Sequence, residues 1–84
     1  MKSTGLKKGD LFSITSAWHV YKVFDAKENE CYDVLKTFVK NGIFIKEWKR
    51  SRTSNCISFY FDGRICYTFL NLFKGEEREI KKLN

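Results

Sequence analysis

The sequence predicts a small α+β domain: an antiparallel sheet of about five strands in the order β-β-α-β-β-β, one amphipathic helix packed on one face, and a short C-terminal helix or charged tail. Three observations lead there. The stretch "CISFYFDGRICYTF" (56–69) sets Asp62-Gly63 between two apolar-rich runs, a hairpin signal because a type I′ turn needs positive φ at both central residues. Residues 25–42 repeat apolar side chains at helical spacing. Runs such as "WHVYKVF" are rich in β-branched and aromatic residues, which suit strands.

Taken in order, residues 1–9, "MKSTGLKKG", read as a flexible basic lead-in, "DLFSIT" (10–15) as a short strand and "WHVYKVF" (18–24) as a second. In "DAKENECYDVLKTFVKNG" (25–42), Asp25 and Glu28 resemble a capping box. Cys31, Val34, Leu35, Phe38 and Val39 build a stripe opposite Asn29, Asp33, Lys36 and Lys40, which predicts a helix over 26–40. Acids crowd its first turn and lysines its last, as the helix dipole prefers. Asn41-Gly42 supplies a left-handed terminator, or, in a rival reading, a hairpin turn between "TFVK" and "IFIK". "IFIKEWK" (43–49) is expected as a strand, "RSRTSN" (50–55) as a polar turn, and 56–61 with 64–69 as the hairpin. Residues 73–84 form a charged helix or tail in which Glu77 and Lys81 stand at i,i+4.

The chain has 84 residues, 43% hydrophobic and 17% aromatic, enough for one compact core and one domain spanning 1–84. It has no proline, so its loops turn on Gly, Asn, Asp and Ser. Net charge is +6, and residues 46–70 carry five cations against two acids. The densest run, "KEWKRSR", contains Lys46, Lys49, Arg50 and Arg52. An excess of this size favours a polyanionic partner, or is plain solubility charge. The three cysteines, Cys31, Cys56 and Cys66, lack C-x-x-C spacing. In a two-residue hairpin Cys56 faces Phe69 and Cys66 faces Phe59, so those two are not bridged. Free buried thiols and the lack of an apolar leader or membrane-spanning run imply a cytoplasmic protein.

Alternation along the hairpin places Ile57, Phe59, Phe61, Cys66 and Thr68 on one face and Ser58, Tyr60, Ile65, Tyr67 and Phe69 on the other. The first is drier and suits the helix. Ile43 and Ile45 are assigned to the core, leaving Phe44, Lys46 and Trp48 opposite. A face bearing Trp48, Tyr60, Tyr67 and Lys46, rimmed by Lys49, Arg50, Arg52 and Arg64, has the make-up of a single-stranded nucleic-acid platform: rings stack on bases and cations follow phosphates. The competing expectation is that the chain's own segments or a second copy cover this face, since aromatic strand residues are more often core.

Little else carries chemistry. His19 is the only histidine. With Cys31, Cys56 and Cys66 it lacks the spacing of a structural zinc site, so no metal or cofactor is expected. Phosphate-loop and dinucleotide fingerprints are absent. Asp62 belongs to the turn. From residue 26 on, the predicted order of helix, three strands and C-terminal helix resembles double-stranded-RNA-binding-like folds, which include HicA-type toxin ribonucleases. That resemblance implies RNA contact. A metal-free ribonuclease would use His19, Tyr21, Arg50 and Arg52, but the histidine those toxins carry would fall near "RTSN", which has none. The expectation is therefore a binding module and not an enzyme. Its partner is single-stranded DNA or RNA, held by Lys46, Lys49, Arg50, Arg52 and Arg64 and stacked on Trp48, Tyr60 and Tyr67. The alternative is an accessory or inhibitor protein of a mobile element that binds an acidic host-protein surface through the same face.

Overall fold

Residues 5–23, 33–70 and 80–83 are described by the structure, a computed structural model. Among them every regular element is a strand: β1 (Leu11–Val23), β2 (Asp33–Lys49), β3 (Asn55–Phe61), β4 (Arg64–Phe69) and β5 (Ile80–Lys82). All ladders are antiparallel. β1 pairs β2, β2 pairs β3, β3 pairs β4, and β4 returns to β1 through Tyr21↔Tyr67 and Val23↔Ile65. Four strands thus close a small barrel, and β5 extends the other half of β1 through Phe12↔Lys82 and Ile14↔Ile80.

The α+β class is overturned. Residues 33–40, expected in the helix, are the first half of β2, and the topological likeness to double-stranded-RNA-binding-like folds goes with the helix. The helical stripe is not a buried face: Val39 is 0% exposed, but Val34 is 47% and Phe38 is 54% exposed. Alternation explains this, because Val39 faces inward while Val34 and Phe38 lie at outward positions. The proposed cap at Asp25 and Glu28, and Cys31, lie outside the described residues. The C-terminal helix is likewise replaced where it can be seen: residues 80–82 are β5, and 73–79 lie outside the described set.

The two predicted strands at 10–15 and 18–24 form one strand, with an irregular register between Ile14 and residue 18 where β1 turns from β5 toward β4. Two irregularities also shape β2. Between the pairs Phe12↔Gly42 and Ile14↔Val39, Asn41 takes a left-handed backbone at φ 55°, so Asn41-Gly42 is a bulge within a strand, neither a helix end nor a hairpin turn. The second bulge lies between Phe44 and Lys46. The first shifts the inward–outward alternation by one and the second restores it. Phe44 is therefore buried and Ile43 is 41% exposed, the reverse of the expected assignment for that pair.

The barrel interior holds Phe12, Ile14, Val20, Val39, Phe44, Ile57, Phe59 and Cys66, with Leu6, Phe61, Leu70 and Ile80 packed around them. Phe12 meets Phe44 and Phe59 edge-on at centroid distances of 6.3 and 5.2 Å. Gly42 backs this ring: a Cβ there would lie 2.9 Å from Val39 Cγ1 and 3.0 Å from Phe12 Cε1. The chain before β1 joins the same end, where Gly9 N–H donates to the Phe44 carbonyl at 2.8 Å. The hairpin forms as the sequence predicts, with Asp62 at φ 56°, Gly63 at φ 73° and Phe61 opposite Arg64.

Candidate nucleic-acid interface

The hairpin's second face lies on the outside of the barrel, where it carries a small aromatic cluster of its own. Val23, Cys56 and Tyr67 are buried there, with Tyr21, Trp48 and Phe69 packed against them. Closure of the barrel assembles it, since Tyr21 of β1 pairs with Tyr67 of β4, and Trp48 of β2 pairs with Cys56 of β3. Tyr21 stacks on Tyr67 at 5.0 Å and 13°, and Trp48 meets Tyr67 edge-on at 5.8 Å. Trp48 is fixed by its indole N–H, which donates to the buried Ser58 hydroxyl at 2.7 Å. The Arg50 guanidinium lies over the Tyr67 and Phe69 rings at 5.7 and 5.5 Å and donates to the Tyr67 hydroxyl at 2.8 Å.

The predicted site residues therefore divide. Tyr67 is 1% exposed. It forms the floor of the cluster, and the accessible ring surface is that of half-buried Trp48 and of Tyr60, which is 50% exposed. Lys46, opposite Ser58, stands between the Trp48 and Tyr60 rungs on this face. Arg50 and Arg52 are exposed in the turn after β2. Lys49 pairs with Asn55 at the strand end, and both line an open cleft of about 260 Å³ with Glu47 and Trp48. Arg64 is not part of the face. It opposes Phe61 at the barrel mouth, beside Asp62, which accepts from Lys22 at 3.5 Å.

Four residues assigned to the helix join the face instead. With Asn41 and Ile45 taken up by the bulges, the outward row of β2 reads Val34, Lys36, Phe38, Lys40, Ile43, Lys46, Trp48. Apolar side chains alternate with lysines throughout. Both acids of β2, Asp33 and Glu47, occupy inward positions: Asp33 pairs with Lys22 and Glu47 with Ile57. The period-two pattern of "VLKTFVK" was the sequence signal for this row.

His19 is exposed and its carbonyl accepts from the Thr68 hydroxyl at 2.8 Å. Among the described residues no group of three His, Cys, Asp or Glu could hold a metal ion. Nor is any described helix long and apolar enough to cross a membrane. Cys56 and Cys66 are free and buried. Burial pushes each thiol up to about 11, against the opposing pull of Arg50 on Cys56 and of Lys22 on Cys66. These thiols are poor nucleophiles and poor metal ligands at neutral pH. No family model, curated protein or solved structure shows significant similarity to the chain.

Proposed function

We propose that the protein is a small nucleic-acid-binding module that takes single strands on the outer face of its barrel. The observation that carries this reading is the placement of Trp48, anchored through Ser58, beside Lys46 and exposed Tyr60 on one outward face of a chain with net charge +6. Ring–base stacking is worth about 1–3 kcal/mol per base, and each lysine or arginine on a phosphate adds salt dependence. Trp48 and Tyr60 stack, Lys46, Arg50, Arg52 and Lys49 hold phosphates, and Tyr67 supports the surface from beneath. The buried free thiols fit a reducing, cytoplasmic setting. Fluorescent single- and double-stranded oligonucleotides titrated at two salt concentrations test this. Expected are micromolar or tighter affinity for single strands, a steep salt slope, and losses in Lys46→Ala, Arg52→Ala and Trp48→Ala. Absence of binding at low salt removes the reading.

A second reading, a protein-binding accessory or inhibitor, draws on the exposed Ile43–Tyr60 pair, 41% and 50% open. An apolar patch rimmed by cations also suits an acidic protein surface or a second copy of the chain. Co-purification of a partner, or a dimer by light scattering, with no oligonucleotide binding would put this reading first.

A further inference from the structure

The outward row of β2 continues well past Lys46 and Trp48, and the rest of it has the same chemistry. We infer that one nucleic-acid strand follows the whole length of β2, with Lys36 and Lys40 holding phosphates and Phe38 stacking a base. This extends the site of Trp48, Lys46 and Tyr60, and it rests on the nucleic-acid reading above. Phe38 is 54% exposed and Tyr60 50% exposed, more open than an aromatic ring kept for packing needs to be. Lys36 and Lys40 flank Phe38 at alternate positions and are themselves exposed. Lysines stand between successive rings along the strip, the sequence of features a single strand presents as phosphate and base.

Shape selects among polyanions. At about 3.3 Å per residue, the span from Lys36 to Trp48 runs to roughly 35–40 Å along the strand. The whole molecule measures 30 × 30 × 23 Å, so the strip bends around the barrel, helped by the two bulges. A duplex with a persistence length of about 50 nm does not follow such a path, whereas a single strand does. A flat acidic protein surface meets a convex strip along a line only. A flexible acidic peptide matches the charge but lacks a planar ring at every repeat, and it serves as the competing probe.

The test uses fluorescence anisotropy with oligo(dT) of 4, 8 and 16 nucleotides, a 16-base-pair duplex and a poly-glutamate peptide, at 50 and 200 mM salt. The proteins are wild type, Lys36→Ala/Lys40→Ala, Lys36→Arg/Lys40→Arg, Phe38→Ala and Trp48→Ala, with thermal melts to confirm folding. Expected is affinity rising from 4 to 8 nucleotides and changing little from 8 to 16, since roughly eight nucleotides fill a strip of about 35–40 Å. Also expected is a loss of about tenfold or more in the double alanine variant with near-wild-type binding in the arginine pair. The salt slope of the double alanine variant falls by about 1.4, two contacts at about 0.7 each, and Phe38→Ala loses about fivefold or more. Binding that Trp48→Ala weakens, but that Phe38→Ala and the double alanine variant leave unchanged, overturns the extended path while the site at Trp48 stands. No oligonucleotide binding, with or without capture of the acidic peptide, removes the path and the nucleic-acid reading together.

Discussion

Arg50 caps Tyr67: its guanidinium donates to the phenolic oxygen at 2.8 Å while lying 5.7 Å from the centre of the same ring. One cation thus satisfies the polar tip and covers the π-face of a tyrosine that is 1% exposed on the outside of the barrel. Arg50→Ala removes one hydrogen bond and two cation–ring contacts, together about 2 kcal/mol. For a domain this size the melting temperature is expected to drop on the order of 10 °C. Arg50→Lys, which keeps charge but not the planar fork, should fall between. An unchanged melt in the alanine variant would show that the cap adds nothing to the packing of this face. Because this substitution disturbs the cluster as well as the charge, Arg52→Ala is the cleaner probe of phosphate contact.

Gly42→Ala should destabilise the barrel by about 1–3 kcal/mol, the usual cost of forcing a methyl into a packed core. The new Cβ would press on Val39 Cγ1 at 2.9 Å and on the Phe12 ring, which is 0% exposed. Urea unfolding reads this directly, as a lower midpoint with an unchanged slope.

Trp48→Phe keeps a ring over the cluster but deletes the indole N–H that reaches Ser58, a residue with 0% exposure. A loss of about 1–2 kcal/mol is expected. A double-mutant cycle with Ser58→Ala should return a coupling of about 1 kcal/mol, and a coupling near zero would mean the bond adds nothing to stability.

The two buried thiols set an alkaline limit. Each has its folded-state value raised from 9.0 to about 11, so the unfolded chain releases those protons first as pH rises. Their contribution is fully present below about pH 8 and is lost between about 9 and 11, with an upper limit of roughly 3 kcal/mol per thiol. Stability measured by urea unfolding from pH 7 to 10.5 should fall more steeply for wild type than for Cys56→Ala/Cys66→Ala. Parallel curves for the two proteins would count against it. With both values raised, Cys56 and Cys66 stay protonated in the native protein at pH 8, so labelling of these two residues by a thiol reagent should follow unfolding.

What the sequence made legible was local. The Asp62-Gly63 turn, the partners of Cys56 and Cys66, and the outward placement of Tyr60, Lys46 and Trp48 all follow from short-range rules, and each is observed. Residues 33–40 went the other way. "DVLKTFVK" satisfies a helical stripe and a strand alternation together. Pairing to β1 on one side of β2, and onward to β3 from Ile43, chose the strand, and those partners are distant in the chain. The bulges at Asn41 and Ile45 were hidden for the same reason. A bulge is defined by the strand opposite, and the pair of them cancels, so counting from either end of β2 is right except at 41–45. The cap of Arg50 on Tyr67 also needed the fold, because the two residues meet only when the turn after β2 brings Arg50 back over β4.

β1 is the strand on which the barrel depends, since it makes ladders with β2, β4 and β5. The β3–β4 hairpin, joined by two residues, can form within microseconds, but the seam between residues 21–23 and 65–67 must wait for everything between them. Loop-closure entropy makes that seam the late, slow step, and folding in the millisecond-to-second range is the consequence. A nascent chain still short of β4 holds β1 with an edge unpaired and its aromatic residues uncovered, the condition under which strands pair with the wrong molecule.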